Sequence, residues 1–279
     1  MKNRQNEERQ LSLLCISELL YGRIKKIRLY YNFFLVLPIL LSFFKNEIIE
    51  KIRITSENLN TFNLIITLAV SLLYFVFQFL EKENLTKAVK VQEEFDTKVF
   101  GLQWNDLLAD QLMDIEIKEL KEECKNISKK NKKDWYNFDE NLNDNENIFR
   151  AQKSAIVYSR KLRERYLNML LMIGLIIVVV FIIIIWKIPL GKIISDYFLP
   201  FYPIFQKYID TIFKLKNSIF ESKSVYKYLE DTDTIGKDIS NLRILQDWIF
   251  INNRLHAPII PTLIYKLERS RLEIFFRDN

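Results

Sequence analysis

Tyr166 to Trp186 reads YLNMLLMIGLIIVVVFIIIIW, and no charged side chain interrupts it. At about 1.5 Å per residue, a helix of about 20 residues crosses a hydrocarbon core of about 30 Å. On an insertion scale of about −0.3 to −0.6 kcal/mol for each Ile, Leu, Val or Phe at mid-depth, such a segment favours lipid strongly. Charge is confined to its flanks, so the chain reads as an integral membrane protein.

Two further stretches obey the same logic. Leu29 to Phe44, LYYNFFLVLPILLSFF, is shorter and contains Pro38, which a membrane helix tolerates where a neighbour satisfies the freed carbonyl. Tyr30 and Tyr31 stand at its end, where an interfacial aromatic belt belongs. Phe62 to Leu80, FNLIITLAVSLLYFVFQFL, is long enough without help. A fourth span over 188 to 213 is aromatic and apolar, yet holds Lys192, Asp196, Lys207 and Asp210 around Pro200 and Pro203. Each charge at mid-depth costs about 2.5–3.5 kcal/mol. Lys192 with Asp196 and Lys207 with Asp210 have the spacing that lets a pair meet on one helix face, or the charges snorkel to headgroup depth.

Basic residues near membrane spans prefer the cytoplasm. Arg23, Lys25, Lys26 and Arg28 precede the first span, Lys82, Lys87 and Lys90 follow the second, and Arg160 to Arg165 precede the third. Lys214, Lys216, Lys223 and Lys227 follow the fourth. Both termini and the long middle region are therefore expected in the cytoplasm, as two helical hairpins with their tips outside. The polar N-terminus lacks the pattern of a cleavable signal. The expected fold is all-α, with four transmembrane helices and a cytoplasmic helical region built on extensions of the second and third spans. Its segments are an amphipathic N-terminal helix over 1–28, a first transmembrane hairpin over 29–80, a cytoplasmic helical hairpin with an inserted loop over 81–165, a second transmembrane hairpin over 166–213 and a C-terminal helical region over 214–279.

Val91, Phe95, Val99 and Leu102 recur as one helix face, with Gly101 as a C-terminal breaker. Asn143, Asp144 and Asn145 form a cap ahead of a run carrying Ile148, Ala155, Ser159, Leu162 and Tyr166 on one stripe. Between them a helical piece is expected near Trp104 to Lys125. Beyond the fourth span, helices are expected over 214 to 230, from Leu242 to about Arg254, and over 262 to 276. A net charge of +6 is ordinary for a membrane protein beside anionic lipid, so no DNA or RNA partner is invoked. Cys15 and Cys124 are expected as free thiols.

The run VQEEFDTKVFGLQWN from Val91 to Asn105 stands with Lys133-Asp134-Trp135-Tyr136, Arg150-Ala151-Gln152 and Leu162-Arg163-Glu164-Arg165-Tyr166. Together with Arg4-Gln5-Asn6, Glu18-Leu19-Leu20-Tyr21, Leu245-Gln246-Asp247, Pro258, Pro261 and Tyr265, this pattern resembles the family of SMODS-associating four-transmembrane effectors over nearly the whole chain. Leu102-Gln103-Trp104 departs from the Leu-Pro-Trp toward which the family tends. The resemblance implies a bacterial antiphage effector, encoded beside an enzyme making a cyclic di- or trinucleotide, that responds by compromising the inner membrane. The apolar spans make the lipid bilayer a partner, and a ligand-driven change shared among several sites argues for further copies of the chain.

The residues offer places for such a mechanism. Asn63, Thr67, Ser71, Tyr74 and Gln78 fall on one face of the second span, either packing against neighbouring helices or lining a pore, and Lys192 and Asp196 are further candidates for that lining. A cyclic oligonucleotide needs cations for phosphates and flat groups for bases. Arg150, Lys153, Arg160, Arg163 and Arg165, with Arg243, Arg254, Arg269 and Arg271, are candidate cations; Trp104, Trp135, Tyr136 and Trp248 are candidate stacking partners. Enzyme signatures are missing: His256 is the one histidine, no cluster has zinc spacing, no Gly-rich phosphate loop is present, and no cofactor is expected. Glu93, Glu94 and Asp96 read as a solvated or salt-bridged helix surface facing the antiparallel helix. A membrane-anchored scaffold without conduction and, less favoured, a membrane enzyme remain as alternatives.

Overall fold

The computed structural model describes residues 1–125, 127, 129, 132–186, 188–232 and 238–268. In chain order the helices are α1 (Lys2–Gln5), α2 (Glu8–Phe43), α3 (Lys45–Ile52), α4 (Ser56–Phe100), α5 (Asp114–Glu123), α6 (Asp144–Ile185), α7 (Leu190–Lys192), α8 (Leu199–Thr232) and α9 (Ile239–Trp248). Two π-helical segments, Ile193–Phe198 and Ile249–Leu255, precede α8 and follow α9. No strand occurs among the described residues, and the fold is all-α.

Long helices start and stop where their sequence dictates. Asn143 and Glu146 form a reciprocal capping box on α6, the Glu146 amide donating to Asn143 Oδ1 at 2.9 Å and the Asn143 amide to Glu146 Oε2 at 3.1 Å. Gly101 ends α4 with φ +72°, and the Leu102 amide returns to the Thr97 carbonyl at 2.9 Å, the hydrogen bond of a Schellman turn. Arg4 seals that end further, its guanidinium donating to the carbonyls of Lys98 and Val99 at 3.3 and 3.2 Å. The helix expected near Trp104 to Lys125 is shorter than the sequence suggested. Residues 102–113 carry no helix, and α5 begins at Asp114 after Trp104 has given its indole N–H to the Ala109 carbonyl at 2.8 Å.

The chain forms two compact units. A polar unit comprises Met1–Arg23, Asn84–Leu167 and Lys214–Asn279. Its core draws Leu13, Ile16 and Leu20 from α2, Val91, Phe95 and Val99 from α4, Ile148 and Ile156 from α6, and Leu242, Leu245 and Ile249 from the C-terminal region. Spacings of three and four set these stripes, and each buried aliphatic or aromatic side chain contributes about 1.5–3 kcal/mol relative to exposure. Of the two stripes read from the sequence, Val91, Phe95, Val99 and Leu102 are all buried. Ile148 and Leu162 are buried as well, whereas Ala155, Ser159 and Tyr166 are partly so. Cys15 and Cys124 are buried free thiols, both raised in pKa by burial.

A membrane unit comprises Ile24–Glu83 and Asn168–Phe213. Its interior is thin: Tyr31 and Leu35 of α2 pack on Val70 and Tyr74 of α4, with Phe34, Ile66, Phe77 and Ile204 around them. Three helices, Glu8–Phe43, Ser56–Phe100 and Asp144–Ile183, are long and apolar enough to cross a membrane. In the third, none of the most apolar 18-residue window is buried. A helix apolar on every side and covered by no protein needs lipid. The segment over 188–213 is not among the three; the π-helical stretch Ile193–Phe198 and Pro203 interrupt its regular course. It is nevertheless tied to α6, for a Cβ at Gly174 would overlap the Tyr208 hydroxyl, which donates to the Leu170 carbonyl at 2.8 Å.

Gly101→Ala places a side chain at positive φ and 3.3 Å from the Arg4 guanidinium. We expect a loss of about 1 kcal/mol or more, read as a lower unfolding midpoint in detergent with unchanged helix content. An unchanged midpoint would refute the role given to this turn.

Candidate functional site

On α4, Glu93 and Asp96 are only 3% and 2% exposed. Burying carboxylates is costly unless each is paired and fully hydrogen-bonded, so their partners define the polar unit. Arg243 reaches Glu93 at 2.7 Å, and Arg254 reaches Asp96 at 2.6 Å. The Gln246 amide donates to Glu93 at 2.8 Å and to Asp96 at 3.0 Å. Tyr136 gives its phenol to Asp96 at 2.7 Å, and Gln152 donates to the Gln246 side chain and to the Leu242 carbonyl, both at 3.0 Å. The carboxylates are therefore not on a solvated surface, and their cations come from α9 and the π-helical segment after it rather than from α6.

This network gathers the motifs that the sequence scatters. Gln5 makes a paired contact with the Tyr136 backbone, accepting at 2.8 Å and donating at 3.1 Å. Asn6 accepts from the Asp134 amide and donates to its carboxylate, both at 2.9 Å, and steadies a left-handed residue with φ 52°. Glu94 takes Arg9 at 2.9 Å. Asp247 accepts from Asn105 at 2.9 Å and from Arg243 at 2.8 Å. Burial pushes the Glu93 carboxyl up, with Asp96 adding to the rise and Arg254, Gln246 and Arg243 opposing it. Burial and the neighbouring Asp96 likewise raise the Tyr136 phenol. Burial works against the charge of Arg254, but Asp96, Tyr136 and Glu93 outweigh it and hold the guanidinium above its ordinary range. The cluster is a positioning device: its charges are mutually satisfied, and among the described residues no group of His, Cys, Asp or Glu is arranged to hold a metal ion.

The candidate ligand residues are dispersed. Arg150 is exposed, 3.6 Å from Asp139, and Lys153 lies 5.8 Å from the Phe149 ring centroid. The Arg160 guanidinium rests 4.7 Å from the centroid of Tyr226, with its Nε 3.9 Å from Glu164. Arg163 is buried and donates to the Asn253 carbonyl at 2.7 Å and to its side-chain oxygen at 2.9 Å; burial lowers it to about 10. Arg165 lies 3.8 Å from Glu268. Tyr136 is enclosed by Phe95, Phe100 and Phe138, whereas its neighbour Trp135 is half-exposed. Trp104 is partly buried, Trp248 packs against the core, and Arg269 and Arg271 lie outside the described residues.

Inside the membrane unit, the polar face of α4 turns inward. Asn63, Thr67 and Tyr74 are buried, and Ser71 and Gln78 are partly buried. Tyr74 donates to Asp210 of α8, and Gln78 donates to the same oxygen at 3.4 Å. Lys207 donates to Asn32 and lies 5.0 Å from the Tyr31 ring centroid. Asp196 meets Lys45 at 3.3 Å, and its carbonyl accepts from Ser42. Lys192 closes α7 immediately before the π-helical segment that carries Asp196. Sequence spacing pointed to pairs within the fourth segment; it did not reveal Asn32, Ser42, Tyr74 or Lys45 as partners from other helices.

A helical membrane protein with a separately packed polar unit is the class these features define. The description "SMODS-associating 4TM effector domain" matches residues 1–278, and the chain belongs to that family. It is similar, at 22% identity over 97% of this chain and 94% of the relative, to a protein of Bacillus cereus (strain VD146) described as a probable CBASS effector molecule. No solved structure matches it.

Arg254→Ala leaves buried Asp96 without its cation, while Glu93 keeps Arg243. We expect a loss of about 3–5 kcal/mol in stability, measured by denaturant titration in detergent. A loss below about 1 kcal/mol would show that the cluster does not hold the unit together.

Proposed function

We propose that this membrane effector of antiphage signalling senses a cyclic oligonucleotide through its polar unit and permeabilises the bacterial inner membrane through its membrane unit. In this reading the segment over 188–213 makes the fourth crossing, both termini face the cytoplasm, several copies assemble, and no catalysis is involved. The observation that carries it is the set of ionisable and hydrogen-bonding side chains that meet between helices of the membrane unit: Asp210 with Tyr74 and Gln78, Lys207 with Asn32, and Asp196 with Lys45. Such groups are costly in hydrocarbon and mark ion or substrate pathways by default.

Sensing requires differential affinity. Moving a population from about 1:99 to 99:1 takes about 5.5 kcal/mol between the two states, a demand that several sites in one assembly share. Exposed Arg150 and half-exposed Trp135 are the best placed of the candidates to meet a phosphate and a base. Arg163, committed to Asn253, serves the fold instead.

Liposomes holding only the purified chain should leak a small entrapped dye when a cyclic di- or trinucleotide from a screen is added. Asp210→Asn should cut the initial rate about tenfold or more with insertion unchanged, and absence of leakage for every nucleotide in the screen would overturn the reading. In calorimetry, Trp135→Ala and Arg150→Ala should each weaken messenger binding by about 1–3 kcal/mol. Unaltered affinity in both would remove that face from the binding site.

A further inference from the structure

The inward face of α4 is one-sided in its hydrogen bonding. The Thr67 hydroxyl donates to the Asn63 carbonyl at 2.8 Å, and the Ser71 hydroxyl donates to the Thr67 carbonyl at 2.9 Å. A hydroxyl has one proton and two lone pairs, so a proton committed to the preceding turn leaves only acceptor capacity for the interior. Asn63, 8% exposed, adds a side-chain oxygen that is buried without a hydrogen-bond partner. Farther along the same face, the donors of Tyr74 and Gln78 are both directed at Asp210. The result is a face that offers oxygen lone pairs at Asn63, Thr67 and Ser71 and meets a carboxylate two turns farther along. Lys207 illustrates what these surroundings accept, since its ammonium is held by the Asn32 amide oxygen and lies near the Tyr31 ring face.

We infer that Asn63, Thr67, Ser71 and Asp210 form a binding path for small monovalent cations, and that the membrane unit passes such cations in preference to anions. Neutral oxygens replace the hydration shell of an alkali cation, and the Thr67 and Ser71 hydroxyls, their protons committed to the preceding turn, present an anion with lone pairs only. The inference rests on the permeation reading above, but its binding component stands apart from it.

Two measurements on the full chain separate them. The first is the unfolding midpoint in phosphatidylethanolamine and phosphatidylglycerol nanodiscs, in potassium chloride against N-methyl-D-glucamine chloride at equal ionic strength. Potassium should raise the midpoint, and both Thr67→Val and the milder Ser71→Ala should shrink the difference, whereas Phe62→Leu on the exposed side should not. The second is the reversal potential in planar bilayers under a potassium chloride gradient, with cyclic di-adenylate and cyclic tri-adenylate as openers. Potassium over chloride permeability should be about tenfold or more, equivalent to about 1.4 kcal/mol between the ions. Potassium stabilisation without any current would sink the permeation reading and leave the cation site intact. Current without cation preference, or a midpoint indifferent to potassium, would overturn the cation inference.

Discussion

The α6 helix presents apolar side chains on all sides through its membrane stretch and finds almost no protein to cover them. Everything in the membrane unit follows from that imbalance, because lipid supplies the missing partner and in doing so removes water from whatever lies between the helices. Tyr74 and Gln78 then satisfy Asp210, and Asn32 satisfies Lys207, each from a different helix.

The polar unit answers the opposite problem. Glu93 and Asp96 are buried inside it, and a charge without a partner there would cost about 3–5 kcal/mol, as much as burying one or two of the core side chains beside it returns. Arg243, Gln246 and Arg254 from the C-terminal region and Tyr136 from the middle of the chain converge to meet them, and Gln5 ties the N-terminal segment to Tyr136, which makes the network a register lock for all three. The hydrophobic stripe alone would tolerate sliding by a turn; paired charges and a bidentate glutamine do not.

The membrane character of Tyr166 to Trp186, the Gly101 stop and the Asn143 cap could be read in the sequence because each rests on a local rule: uninterrupted apolarity, positive φ, and a side-chain oxygen placed for a free amide. The burial of Glu93 and Asp96 could not be read that way. On α4 they sit among lysines at ordinary helix spacing, and the residues that enclose them lie up to 158 positions away in sequence. Arg243 and Asp247 at i and i+4, next to Gln246, were the available signal, but spacing suggests a surface pair just as readily. The inward turn of the α4 polar stripe was legible as a face, while its partner Asp210 depended on how α8 packs and could not be derived from periodicity. The region after Gly101 resisted for another reason, since the indole of Trp104 closes a loop through a single backbone carbonyl and leaves no periodic trace.

One small contact constrains how the membrane unit can move. Tyr208 occupies a notch left by the missing side chain of Gly174 and anchors its oxygen on the Leu170 carbonyl, in the manner of a peg seated in a slot. Sliding α8 along α6 would carry the ring out of that notch and its oxygen off the Leu170 carbonyl, so this contact sets the register of the two helices.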